Sequence, residues 1–226
     1  MAEIIVALDV PGRSQALRLL DRLPQAQWVK VGPVLMTGEG PEFIRELAGR
    51  GLKVFLDLKW HDIPNTVAGA VEAARDLSVA MATVHVVGGS AMLTAAVAAG
   101  GSRLPLVGVT VLTSHEAQSY AAAIGRDALD LAGEVERLAV VAAGSGLRGV
   151  VCSNQEASRV RRRLGPTPWI VVPGIRRPTD GVGDQVRTAT PEQAVKAGAT
   201  HLVVGRPLIH AAEPGGVFRE LSEAAK

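Results

Sequence analysis

Val54-Phe-Leu-Asp57-Leu-Lys59-Trp-His-Asp62-Ile-Pro-Asn-Thr66 begins as an apolar strand, yet it carries Asp57, Lys59 and Asp62 within six positions. Strands of this composition are usually covered on both faces, where an unpaired charge costs several kcal/mol or more. Side chains two apart on a strand share a face. Asp57 and Lys59 are therefore expected on one side, with Leu56 and Leu58 on the other. An acid and a base held together in a core element suggest chemistry. The alternative is a buried salt-bridge network, a poor source of stability because desolvation offsets the Coulomb gain.

Outward from this stretch, short Val/Ile/Leu-rich runs alternate with longer amphipathic or Ala-rich ones along the whole chain. Strands are expected at Ile4–Val10, Trp28–Gly32, Lys53–Lys59, Met81–Val87, Leu104–Leu112, Gly149–Ser153, Trp169–Ile175 and His201–Arg206. Helices are expected at Ser14–Leu23, Pro41–Arg50, Thr66–Leu77, Ala91–Ala99, Leu129–Ala143, Asn154–Leu164 and from about Val217 to Ala225. A further helix is signalled by Thr190-Pro-Glu-Gln193, which combines a Thr cap, Pro in the first turn and Gln three residues on. Eight strand–helix units without a linker argue for a single α/β domain over 1–226, a (β/α)8 TIM barrel. The competitor is an open doubly wound sheet, but no Gly-x-Gly-x-x-Gly follows the first strand.

Composition narrows the functional classes. The chain has 226 residues, 47% hydrophobic and 20% charged, with a net charge of +2 and a pI near 9.0. That mild excess, with 3% aromatics to stack on bases, makes a nucleic-acid partner a weak expectation. No apolar run reaches the roughly 18–20 residues of a membrane span. The N-terminus lacks the pattern of a signal peptide, so a soluble cytoplasmic protein is expected. The lone Cys152 reads as a small core residue. His61, His85, His115, His201 and His210 lack metal-site spacing, so no metal is expected, and His85 is expected to be a hydrogen-bonded barrel residue. Arg159, Arg161, Arg162 and Arg163 read as a solvated helix face.

In such barrels the chemistry sits at the C-terminal strand ends, and the polar residues fall there. Asp9, Lys30, Asp57, Lys59, Asp62 and His85 follow or end the first four strands. Thr113 and Ser114 follow the fifth, Arg176 and Gln185 bracket the loop after the seventh, and Gly205-Arg206 ends the eighth. Pro173-Gly-Ile-Arg176, Gly183-Asp-Gln185 and Gly205-Arg-Pro207 stand where barrel enzymes commonly hold phosphate with backbone N–H groups and a basic residue. Pro178, Gly181 and Gly183 would suit a lid over that anion.

Asp57-x-Lys59-x-x-Asp62-Ile-Pro-Asn-Thr66 closely resembles the signature of the orotidine 5′-phosphate decarboxylase family. Ala7-Leu-Asp9, Val29-Lys-Val-Gly32, Val109-Thr-Val-Leu-Thr-Ser114 and the three late motifs resemble its other segments, in the family's order. Pro33 and Trp60 depart from what many members carry. The resemblance implies decarboxylation of orotidine 5′-monophosphate to UMP without metal or cofactor, by a homodimer. Lys59 would protonate C6, Asp57 would lie near the departing carboxylate, and Lys30 would orient Asp57 and touch the ribose. Asp62 would complete the tetrad from the partner subunit, with Thr66 near the ribose. Asp9 would bind ribose hydroxyls and Thr113 the pyrimidine, while Arg176, Gln185, Gly205 and Arg206 would hold the phosphate. A sugar-phosphate decarboxylase or aldolase using Mg²⁺ with the same Asp-x-Lys-x-x-Asp, and a non-catalytic nucleotide-binding protein, are the alternatives.

Overall fold

The computed structural model describes residues 2–180 and 187–226. Eight parallel strands close into a barrel in sequence order, the last pairing with the first. They are β1 (Glu3–Ala7), β2 (Trp28–Val31), β3 (Lys53–Trp60), β4 (Met81–His85), β5 (Leu106–Val109), β6 (Gly149–Val151), β7 (Trp169–Val172) and β8 (His201–Val204). The open doubly wound sheet is thereby excluded. Most strands end two or three residues before the expected boundary, because the polar residues that follow leave the ladder to line the barrel mouth.

Around the barrel run α1 (Arg13–Asp21), α2 (Pro33–Gly49), α3 (Pro64–Arg75), α4 (Gly89–Gly100), α5 (Ala117–Ala123), α6 (Leu131–Gly144), α7 (Asn154–Leu164), α8 (Pro191–Lys196), α9 (Arg206–Ile209) and α10 (Pro214–Ala224). Local chemistry sets several of their starts. Thr190 and Gln193 form the expected capping box of α8, and Ser153 accepts a hydrogen bond from the Gln155 N–H to start α7. One expectation is corrected at α2, which begins at Pro33 rather than Pro41. Gly40 interrupts it at φ 68°, a conformation that costs glycine little, and Pro41 restarts the helix at the position where its missing N–H does no harm. The short helices α5 and α9 fall where no helix was expected, and Arg206 begins α9 rather than ending a strand.

The sheet separates two apolar clusters by the period-two rule. Outward side chains such as Ile4, Val6, Val29, Val54, Leu56, Ala82, Val150, Ile170 and Leu202 pack against the helices. Inward ones, Ile5, Ala7, Trp28, Phe55, Met81, Val107, Val171 and Val203, fill the barrel. At the N-terminal end of the barrel His201 lies between Trp28 and Trp169, with ring centroids 5.4 and 4.8 Å away. Burial, helped by the Lys53 charge, pushes its pKa down to about 4. Cys152 is fully buried and its thiol is pushed up to about 12, chiefly by desolvation, as befits a core residue rather than a nucleophile.

Two polar clusters differ from expectation or were not foreseen. Arg161 does not belong to a solvated face: its guanidinium donates to the carbonyls of Gly165, Pro168 and Gly198, tying α7 to the segments that lead into β7 and β8. Buried Arg187 donates to Glu156 Oε1 at 2.7 Å and to the Leu112 carbonyl at 3.1 Å. Ser153 donates to the other Glu156 oxygen. This network joins the loop after β5 to the start of α7 and to the segment leading into α8.

Candidate active site

A cavity of about 570 Å³ opens at the C-terminal mouth of the barrel. Its apolar floor includes Ala7, Phe55, Val151, Val171 and Val203, and its walls carry Asp9, Lys30, Asp57, Lys59, Thr113, Arg176, Gly205 and Arg206. Eight sequence-predicted residues thus meet in one space although they come from six strands and the loops after them. Asp62 and Thr66 do not join them. Both stand exposed on the rim, and the Asp62 carboxylate accepts a hydrogen bond from the Ile63 N–H at 2.6 Å. Gly181, Gly183 and Gln185 lie outside the described residues.

The charged wall is an alternating row. Lys30 Nζ donates to Asp9 Oδ1 at 2.8 Å and stands 3.8 Å from Asp57 Oδ2, which receives Lys59 Nζ at 2.9 Å. Acids and lysines thus alternate along the wall, each carboxylate within 4 Å of a lysine ammonium. Within one chain, then, the row runs Asp9–Lys30–Asp57–Lys59. Lys59 ends this row and is the cation most open to the cavity.

The backbone that presents Lys59 is irregular. Leu56 pairs with Ala82 and Trp60 with Val84, so Asp57, Leu58 and Lys59 face Thr83 alone across the β3–β4 ladder. Lys59 adopts φ 52°, a left-handed conformation that costs a residue bearing Cβ about 1–2 kcal/mol. Simple alternation therefore fails at the residue for which it was invoked, although Lys59 still reaches Asp57 on the inner side. The Lys59 N–H donates to Thr83 Oγ1 at 2.8 Å, and the Thr83 hydroxyl donates to Asp57 Oδ1 at 3.1 Å. Reading the sequence by motif passes over Thr83. Counting by two from Met81 would have placed it inside the barrel.

His85 corrects another expectation. Its Nδ1 has no hydrogen-bond partner among the described residues, and its ring lies 5.8 Å from that of His61. Burial, then the nearby His61 and Lys59, lowers its pKa, keeping the imidazole neutral beside the lysine.

The cationic part of the cavity wall is built on the loops after β7 and β8. Gly174 takes φ 78°, turning the chain so that Ile175 bridges Ala189 and the Arg176 N–H donates to the Ala189 carbonyl at 2.9 Å. The bridge fixes both ends of that loop and holds Arg176 largely buried. Arg206 begins α9 directly after Gly205. Two guanidiniums thus line the same cavity as a row of two acids and two lysines, which suits a substrate with a dianionic group. Among the described residues no three His, Cys, Asp or Glu side chains gather as a metal-ligand set, and no described helix is long and apolar enough to cross a membrane.

Comparison with known proteins agrees with this layout. A family model described as Orotidine 5'-phosphate decarboxylase / HUMPS family matches residues 2–221. The chain is 48% identical over 225 residues to the orotidine 5′-phosphate decarboxylase of Vibrio atlanticus (strain LGP32), covering 97% of this chain and 96% of that protein. It is 48% identical over 219 residues to that of Halorhodospira halophila (strain DSM 244 / SL1), covering 93% and 90%. The crystal structure of orotidine 5′-phosphate decarboxylase from Lactobacillus acidophilus superposes with a TM-score of 0.89 at 34% identity, with all of both chains covered. With a family match along almost its whole length, and relatives that share nearly half its residues end to end, this barrel belongs to the orotidine 5′-phosphate decarboxylase / HUMPS family.

Proposed function

We propose that this chain decarboxylates orotidine 5′-monophosphate to UMP and CO2 in pyrimidine biosynthesis, with 1–226 acting as one catalytic domain. The observation that carries this reading is the cavity's charge: an Asp9–Lys30–Asp57–Lys59 row shares one space with Arg176 and Arg206. In the reaction the bond from C6 to the carboxylate breaks, CO2 leaves, and the electron pair stays on C6. No adjacent carbonyl delocalises that pair, so fixed charge must stabilise it. Lys59 supplies the cation beside C6 and then transfers a proton from Nζ to C6, regaining one from solvent. Asp57 lies near the departing carboxylate and holds the Lys59 ammonium in place, while Lys30 orients Asp57.

Asp9 and Lys30 serve the ribose hydroxyls and Thr113 the pyrimidine. Arg176, Gln185, Gly205 and Arg206 bind the phosphate, whose distance from C6 means its binding energy organises the site rather than reacts. The chemistry requires no metal or organic cofactor. Asp62 and Thr66 serve the neighbouring subunit of a cytoplasmic homodimer. In support, they stand on the same rim as the exposed apolar residues Val34, Ile63 and Val87, which a second copy would cover.

The test follows loss of orotidine 5′-monophosphate by absorbance, with and without EDTA. Turnover insensitive to EDTA is expected, and Lys59→Ala should nearly abolish it while retaining ligand binding. EDTA-sensitive activity, UMP binding without turnover, or substantial Lys59→Ala activity would each overturn part of the reading. Mixing Lys59→Ala with Asp62→Ala protein should restore activity, because each mixed dimer then has one intact site. No recovery in demonstrably mixed dimers would refute the shared site.

A further inference from the structure

Thr83 is fully buried, does not line the cavity, and carries no charge, yet it is the only β4 residue opposite the three-residue excursion of β3. A threonine hydroxyl has one proton to donate and lone pairs to accept with. Here the lone pair takes the Lys59 N–H at 2.8 Å, so the proton is directed to Asp57 Oδ1 at 3.1 Å. One oxygen atom therefore stands in for the ladder acceptor that the irregular strand lacks. The same atom occupies one oxygen of the Asp57 carboxylate and leaves the other, Oδ2, turned toward both lysines.

We propose that Thr83 is a positioning residue for catalysis. It holds Lys59 in its left-handed backbone conformation and sets the rotation of the Asp57 carboxylate, so that the ammonium of Lys59 is aimed before substrate arrives. The inference rests on the decarboxylase reading for its kinetic consequence but not for its geometry. A methyl group alone at this position would satisfy packing against the barrel interior but neither hydrogen bond. A hydroxyl without the methyl would satisfy both bonds. Serine and alanine therefore separate positioning from packing.

The experiment compares wild type, Thr83→Ala and Thr83→Ser in steady-state decarboxylation of orotidine 5′-monophosphate, normalised to folded protein. In parallel, hydrogen exchange of the Lys59 amide is read by NMR after selective labelling of lysine nitrogen, which is tractable because the chain has five lysines. Loss of hydrogen bonding to a charged group predicts a fall in kcat of roughly 10- to 100-fold for Thr83→Ala. KM should stay within about threefold, since Thr83 touches no substrate. The Lys59 amide should exchange at least about tenfold faster in that variant, and Thr83→Ser should recover most of both losses.

A Thr83→Ala enzyme with kcat within about twofold of wild type, or with an unchanged Lys59 amide, overturns the proposal, as does failure of serine to rescue. If both variants fail to fold, the wild-type Lys59 amide still decides: rapid exchange in the native protein refutes the bond on which the inference stands. If wild type does not turn over orotidine 5′-monophosphate at all, the functional reading has failed while the amide measurement still judges the geometry.

Discussion

Lowering the pH from 7 to 5 should destabilise the fold through His201 before most carboxylates titrate. The imidazole is enclosed by Trp28 and Trp169, its Nδ1 lies 2.9 Å from Thr200 Oγ1, and its pKa falls from 6.5 to about 4 on folding. Because the folded value is depressed, the unfolded chain binds the extra proton between those limits. Stability therefore rises with pH there, is fully present above about 6.5, and is lost as the pH drops toward 4. The whole window is worth about 3 kcal/mol, of which about 2 kcal/mol falls between pH 7 and 5. The assay is urea unfolding at pH 7, 6 and 5, at one protein concentration, for wild type and His201→Gln. The substitution has its own cost, but that cost is the same at each pH, so the readout is the change in the difference between the two proteins. The gap should shift in favour of the variant by about 2 kcal/mol on acidification. Parallel curves from pH 7 to 5 would show that the buried ring is protonated as readily as a free one, and would refute the argument.

Arg206→Ala should reduce kcat/KM for orotidine 5′-monophosphate by at least roughly 10- to 100-fold, the scale of a lost charge-assisted contact, with the circular dichroism spectrum unchanged. An unaltered kcat/KM would remove Arg206 from the phosphate site. Glu156→Gln leaves the buried Arg187 guanidinium without its counter-charge and should cost about 3 kcal/mol in urea unfolding; breaking the exposed Arg45–Glu42 pair should cost less than about 1 kcal/mol. Gly149→Ala would place a Cβ 2.0 Å from the Trp169 carbonyl oxygen and should destabilise by at least about 1–3 kcal/mol, read as a lower Tm; an unchanged Tm would mean that the β6–β7 ladder yields more easily than its geometry implies.

The barrel was legible in the sequence because its signals are local and repeated. Apolar runs, caps such as Thr190 with Gln193, and polar residues at the strand ends all point the same way. The members of the cavity wall were also legible, since position at a strand end is enough to bring Asp9, Lys30, Asp57 and Lys59 to one mouth. What escaped depends on non-local geometry. The φ of Lys59 is imposed by a register shift against β4, which no single strand discloses. Arg161 looked solvated among its neighbours because the three carbonyls it binds belong to other parts of the chain. Gly40 was readable only in part: Pro41 announced a helix start, while the leg before it was obscured by two glycines, Gly38 and Gly40.

The inward cluster beneath the cavity has an evolutionary consequence. Ala7, Phe55, Val171 and Val203 belong both to the packed interior of the barrel and to the floor on which a ligand would rest. Any exchange among them alters the depth available to a substrate and the cohesion of the sheet at once. Neither property can drift independently. A lineage seeking room for a bulkier base would have to accept a looser barrel or compensate in the layer below, at Trp28, Trp169 and His201. Innovation in this scaffold is therefore easier at the loops above the mouth than at the floor beneath it.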